Sequence, residues 1–158
     1  MKKFARIIGT GSYLPSKVVT NYDLEKILNT SDEWITARTG IKERRIVTDQ
    51  NTCDLALEAS LKALSMAELK PEDIDLIILS TTTPDKIFPA TATILQNRLG
   101  ASCPAFDLQA VCAGFIFALT TAQQYIENGS AKNILVVGSE TMSKIVDWSD
   151  RSTAILFA

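Results

Sequence analysis

The sequence predicts a layered α/β fold with a mostly parallel sheet. Two patterns predict it. Nearly continuous apolar runs, Ile74 to Ser80 and Asn133 to Gly138, suit strands buried on both faces. Long stretches with helical spacing, Thr52 to Glu68 and Ala113 to Glu127, alternate with those runs along the chain. The 158 residues are 46% apolar, enough for a sizeable core.

Taken in order, Phe4 to Leu14 reads as a strand ending in a Gly-containing turn. Thr20 to Asp23 looks like a capped helix start, with the helix running from about Asp23 to Leu28. Ser31 offers a second cap, with Asp32 and Glu33 in a first turn where the helix dipole favours acids. That helix should continue to Arg38 and stop at Gly40. Ile41 to Val47 reads as a charged, exposed strand. The Thr52–Glu68 helix shows Leu57, Leu61 and Leu64 on one stripe, and Pro71-Glu72-Asp73 makes a turn before the Ile74 strand. A loop from Thr81 to Pro89 carries Phe88. Thr91 to Leu99 is a short helix closed by Gly100, and Ala105 to Leu108 a short strand. The Ala113–Glu127 helix puts Ile116, Leu119, Ala122 and Ile126 on its inner face and ends at Asn128-Gly129-Ser130. Ala154 to Phe157 reads as one more strand. An apolar strand seldom ends a domain uncovered, so the expectation is a chain cut short of its natural end, its open face covered by a second polypeptide or another copy.

Lys plus Arg number 16 and Asp plus Glu 18, a net charge of −2. That balance gives no general attraction to nucleic acid or to acidic membranes. No stretch approaches the roughly 18 apolar residues of a membrane span, and the opening residues lack a signal-peptide run. A cytoplasmic protein is expected. Cys53, Cys103 and Cys112 form no Cys-x-x-Cys pair, so neither a disulfide framework nor a zinc site is expected. The chain has no histidine, the commonest general base.

Chemistry concentrates at Phe106-Asp107-Leu108-Gln109-Ala110-Val111-Cys112-Ala113-Gly114-Phe115. A strand enters a tight turn, and Cys112 falls where a long helix begins. Free N–H groups at a helix start favour a negative sulfur, the nucleophilic form. They also suit a developing oxyanion. Ala113 and Gly114 are small enough to admit a thioester. Taken alone, this context also fits a buried structural cysteine.

Several segments resemble 3-oxoacyl-[acyl-carrier-protein] synthase III. They are Ile8-Gly9-Thr10-Gly11-Ser12-Tyr13-Leu14-Pro15, Thr30-Ser31-Asp32-Glu33-Trp34-Ile35, Arg38-Thr39-Gly40-Ile41, Pro104-Ala105-Phe106-Asp107, Cys112-Ala113-Gly114-Phe115, Val136-Val137-Gly138-Ser139-Glu140 and Asp150-Arg151. They occur in the family's order across nearly the whole chain. The resemblance implies a thiolase-like fold, a homodimer and a condensing activity. Cys112 would accept an acyl group from acyl-CoA, and malonyl-acyl-carrier protein would then lose carbon dioxide and attack the thioester. Coenzyme A enters as substrate, and neither a cofactor nor a metal is implied.

The family's His and Asn donors belong to a second half, so this chain alone should not complete condensation. By resemblance, Trp34 stacks on the CoA adenine, Arg38 lies near the nucleotide and Arg151 closes an adenine sandwich with Trp34. Thr30 would hydrogen-bond the nucleotide, with helix capping as the other reading. Phe88 would reach across a dimer into the partner's acyl pocket, and Met142 and Phe157 would line that pocket. Trp34, Met142 and Phe157 fit plain core as well, and Arg38 a solvated surface charge. Ser152 stands where a glycine is expected. Two alternatives remain open: another CoA-dependent thiolase-like condensing enzyme, and a non-catalytic half-fold that binds a partner. A redox thiol is disfavoured, because no resolving cysteine lies near Cys112 in sequence.

Overall fold

The computed structural model describes residues 4–157. They form two compact units. One combines the stretch ending at Tyr13 with Asn51–Glu140; the other combines Leu14–Gln50 with the stretch from Thr141 on.

The first unit holds a three-stranded parallel sheet in the order β4 (Ala105–Leu108), β3 (Leu76–Ser80), β5 (Ile134–Gly138). Ile77 pairs with Ala105 on one side and Leu135 on the other. All five β3 residues are buried, as the apolar run requires. Side chains alternate between faces along a strand, and the two faces meet different helices. Ile77 and Leu79 pack with Cys53, Ala56 and Leu64 of α3 (Thr52–Ala67) and with Ala92, Leu95 and Leu99 of α4 (Thr91–Leu99). Leu76 and Ile78 pack against Ala118 and Ala122 of α5 (Gly114–Glu127). A helix layer on each side of the sheet is the expected α/β layering.

Within this unit three sequence expectations are corrected. The buried stripe of α3 is Cys53, Ala56, Ser60 and Leu64, whereas Leu61 is exposed. The buried face of α5 is Gly114, Ala118 and Ala122, and Ile116 is 64% exposed. On α5 the buried residues are all small, because close approach of helix to strand leaves no room for branched side chains, whereas α3 buries Leu64 beside Ala56. Phe4 to Leu14 is no strand. β5 ends the sheet, and a cavity of about 720 Å³ lies between it, α3, α5 and the Ala5–Gly11 stretch, so that stretch has no strand to pair with. It rests on α3 instead. A Cβ on Gly9 or Gly11 would overlap the carbonyls of Ala63 or Ala59.

The second unit pairs β1 (Lys17–Thr20) antiparallel with β2 (Glu43–Ile46). The Thr20/Asp23 capping box forms, opening α1 (Asn21–Glu25), which ends sooner than expected. Ser31 caps α2 (Asp32–Thr39) by accepting from the Trp34 N–H, and Gly40 closes it with φ of +74°, where a side chain would be strained. Leu24, Ile35 and Ile155 make the core of this unit, with Val19, Leu28, Trp34 and Trp148 packed on it.

Two expectations change in this unit. The β2 strand is not simply exposed: Arg44 is 1% accessible. Ala154 to Phe157 is no strand, because α6 (Arg151–Ala154) forms there. The Asp150 carboxylate accepts from the Ser152 N–H, and the Ala154 N–H donates to the Asp150 carbonyl, so a local turn takes the backbone groups that a strand would have used.

Candidate active site

Cys112 lies in the first unit, between the C-terminal end of β4 and the first turn of α5. Its thiol is free and exposed. Val111, just before it, has φ of +49°. A β-branched residue rarely takes that conformation, and such strain clusters at functional turns. A strained strand-to-helix corner that lifts one nucleophile out of the fold is a recurrent catalytic device. Burial pushes the thiols of Cys53 and Cys103 up from their ordinary values, which leaves Cys112 as the accessible sulfur.

One detail differs from the sequence reading. Cys112 is not the first residue of the helix but the middle of a 3₁₀ turn, Val111–Ala113, that leads into it. The Ala113 and Gly114 N–H groups donate to the Ala110 and Val111 carbonyls. They are therefore occupied, and the N–H of Cys112 itself is the donor beside the sulfur that takes no backbone acceptor among the described residues.

Two contacts fix this corner. Gly114 packs so closely on Ser80, the last residue of β3, that an added Cβ would overlap the serine hydroxyl. Asp107 of β4 accepts from the N–H groups of Thr91 and Ala92 at 2.8 and 2.6 Å and so caps α4, whose own N-cap residue is Ala90. The sequence reading named no role for Asp107; a lone acid inside an apolar strand was its signal.

Phe88, also in the first unit, stands 87% exposed beside Ile87, which is fully exposed. Behind them the Thr81–Thr83 segment is tied to Glu140. That carboxylate accepts from the Thr82 N–H at 2.8 Å and from the hydroxyls of Thr81, Thr82 and Thr83. Thr52 and Asp85 add further ties to the same loop. The Phe88–Pro89 peptide bond is cis.

The second unit brings together three of the predicted residues. The guanidinium of Arg38 lies 4.6 Å from the centroid of the Trp34 ring, and that of Arg151 lies 4.9 Å from it. These are cation–π distances. Trp34 also packs on the Leu24–Ile35–Ile155 core, so the core reading of Trp34 holds, and its ring meets two guanidinium groups besides. Arg151 donates to the Asn29 carbonyl at 3.2 Å. Ser152 turns its hydroxyl onto Asp150, and that bond with the Ser152 N–H holds the Asp150 carboxyl below its ordinary range.

Thr30 does not cap α2; Ser31 does. The Thr30 hydroxyl is buried without a hydrogen-bond partner. Met142 opens a 3₁₀ turn and is half-buried, and Phe157 is 39% exposed. The sequence reading did not anticipate Arg44 and Asn21, both buried in the same unit. Among the described residues no three His, Cys, Asp or Glu side chains are grouped to hold a metal ion. No helix there is long and apolar enough to cross a membrane.

A family model for 3-oxoacyl-[acyl-carrier-protein] synthase III matches residues 106–158, which include the Cys112 corner. Beta-ketoacyl-[acyl-carrier-protein] synthase III of Vesicomyosocius okutanii is 69% identical over 99% of this chain and 50% of its own length. The Neisseria gonorrhoeae protein of the same name is 60% identical over 98% of the chain and 49% of its length. The crystal structure of 3-oxoacyl-[acyl-carrier-protein] synthase III from Aquifex aeolicus superposes with a TM-score of 0.94 at 54% identity, covering all of this chain and 51% of that one. The priming β-ketosynthase of the R1128 polyketide pathway superposes at 0.96 with 38% identity, covering 99% of this chain and 48% of that one. The chain thus spans about half the length of the curated relatives it matches, and its α/β layering is the thiolase-like one. In sequence along nearly its whole length and in fold, the chain is similar to about half of a 3-oxoacyl-[acyl-carrier-protein] synthase III.

Proposed function

We propose that Cys112 is the acyl-accepting nucleophile of a condensing enzyme that starts fatty-acid synthesis, and that this chain carries the acyl-transfer part of that reaction. The observation that carries the reading is an exposed sulfur on a strained strand-to-helix corner. The Cys112 thiolate attacks the carbonyl carbon of an acyl-CoA. The tetrahedral intermediate collapses, coenzyme A leaves as its thiolate, and the acyl group stays on sulfur. In the second step malonyl-acyl-carrier protein loses carbon dioxide. The carbanion left behind attacks the acyl-cysteine carbonyl, a carbon–carbon bond forms and the Cys112 thiolate is expelled. The product is a 3-oxoacyl-carrier protein.

The Arg38–Trp34–Arg151 stack supports a nucleotide end for the CoA, since an adenine ring and an indole share the same affinity for a guanidinium plane. Thr30, with its buried unpartnered hydroxyl, is a further polar group in the same unit. Met142 and Phe157 are assigned to the acyl pocket on the family resemblance. The reaction needs no cofactor, since CoA is a substrate. It belongs to the cytoplasm.

The carbanion step requires donors for the thioester enolate. The chain has no histidine, and the family's His and Asn donors are supplied by the portion of the relatives that this chain does not span. Intact mass spectrometry after treatment with acetyl-CoA should therefore show one acetyl group gained. The same sample given malonyl-acyl-carrier protein should yield no 3-oxoacyl product until a polypeptide covering the remaining length is supplied. A chain that never gains an acetyl group defeats the acyl-transfer reading, and one that condenses unaided defeats the division of labour.

The functional unit is a homodimer in which Phe88 reaches the partner. The near-complete exposure of Ile87 and Phe88 on a loop pinned by Glu140 supports this, because two large apolar side chains held outward are a liability unless covered. Sedimentation velocity should show association that Phe88→Asp weakens. A single monomer boundary at all concentrations for the complete protein removes the dimer.

A further inference from the structure

Arg44 projects from β2 into the core of the second unit and is 1% accessible. One terminal nitrogen donates to the Asn21 Oδ1 at 2.9 Å and the other to the Ile155 carbonyl at 3.2 Å. Its Nε is buried without a partner. Among the described residues no carboxylate lies within ion-pair distance of it. A buried cation with one donor unsatisfied and no counter-ion is an expensive way to fill a core, because an apolar side chain of similar volume avoids the desolvation cost. What the guanidinium does that an apolar group cannot is join two backbone segments at fixed positions.

Those segments are the ones that carry the aromatic–arginine stack. Asn21 is fully buried and passes the link on. Its Nδ2 donates to Asp32 Oδ1 at 2.9 Å, to the Thr36 hydroxyl at 3.3 Å and to the Ile41 carbonyl at 2.8 Å. Asp32 and Thr36 flank Trp34 on α2. At the other end, Ile155 is the C-cap of α6, so its carbonyl is one of the groups a helix end leaves unpaired. Arg151 is the first residue of α6. The chain of contacts runs from α2 through Asn21 and Arg44 to α6, and its two ends carry the Trp34 ring and the Arg151 guanidinium that lies 4.9 Å from it.

We propose that Arg44 is a positioning residue: a buried guanidinium that ties α6 to α2 and so sets the stack of Arg151 on Trp34 that receives the nucleotide of acyl-CoA. The ligand half of this statement rests on the function proposed above; the positioning half does not. Arg44 reaches the ligand only through other residues, so its loss acts on binding and leaves the Cys112 chemistry alone.

The experiment uses the full chain with Trp148→Phe, so that Trp34 is the single indole. Arg44→Met removes both hydrogen bonds. Arg44→Lys keeps the charge and satisfies one acceptor at a time, and serves if the Met variant does not fold. Acrylamide quenching of Trp34 is expected to rise in the variants, and the dissociation constant for coenzyme A, used as the probe, to weaken about tenfold. The rate of acetylation at saturating acetyl-CoA should stay at that of the parent, so the effect appears in KM and not in kcat. Unchanged Trp34 quenching and coenzyme A affinity within about twofold of the parent in a folded variant overturn the proposal. If the variants change Trp34 quenching while the parent itself binds no coenzyme A, the tie between α2 and α6 stands and the nucleotide assignment falls.

Discussion

Replacing Cys112 by alanine is expected to leave the chain with no acetyl adduct after treatment with acetyl-CoA, at undiminished stability. The corner around Cys112 is held by backbone hydrogen bonds of Ala113 and Gly114 and by the Gly114–Ser80 contact, none of which uses the sulfur. The side chain is exposed, so its truncation should change stability by no more than about 0.5 kcal/mol. Chemically the loss should be complete. Burial keeps the thiols of Cys53 and Cys103 up, and thiolate is the form that attacks a thioester. Cys112→Ser should behave nearly as poorly, since a hydroxyl needs a general base and the chain has no histidine to serve as one. Intact mass and a thermal melt on the same samples read both halves of the prediction. An undiminished adduct on Cys112→Ala would place the acyl group elsewhere and end the nucleophile assignment.

Gly114→Ala separates close packing from helix propensity, because the two predict opposite signs. Alanine inside a helix is favoured over glycine by about 1 kcal/mol. Against that, the new Cβ meets the Ser80 hydroxyl and lies 3.3 Å from the Ser80 Cβ. Ser80 is buried, and its strand is paired on both sides, so it can turn its hydroxyl but not retreat. Overpacking of this kind costs about 1–3 kcal/mol, and the net change should be destabilising. Function should suffer more than stability. The 3₁₀ turn carrying Cys112 precedes Gly114 directly, and a shift of about 1 Å in a reacting group can slow a reaction about a hundredfold.

Ser80→Gly should relieve the overlap. The double variant should then regain acetylation and show a favourable coupling between the two sites. Denaturant melts and acetylation rates on the two single variants and the double variant settle the matter. A Gly114→Ala chain that is more stable than its parent and acetylates normally would show that contact with Ser80 does not set the corner.

The sequence by itself determined the α/β class, the helix stops at Gly40 and Gly100, the Thr20/Asp23 and Ser31 caps, the doubly buried strand at Leu76–Ser80 and the corner at Cys112. These rest on short-range physics. A cap, a left-handed glycine or a run of apolar residues leaves its mark within a few positions of the chain. The motif at Cys112 is equally local, and so is the i, i+4 pairing of Trp34 with Arg38.

Tertiary structure alone decided the rest. Phe4–Leu14 has strand-like residues, yet a strand exists only where a neighbour takes its hydrogen bonds, and the edge of β5 lies across a cavity from it. Ala154–Phe157 lost its predicted strand to the Asp150 cap for the same reason. The face of α5 turned on how closely that helix approaches the sheet, which favoured Gly114 and Ala118 over Ile116, and on α3 the buried stripe keeps Leu64 but takes Ser60 in place of Leu61. Asp107 capping α4 from β4, and Arg44 meeting Asn21 and Ile155, join residues up to 111 positions apart. A buried polar group declares its purpose only through partners, and pattern along the chain cannot name partners that the fold brings together from far away.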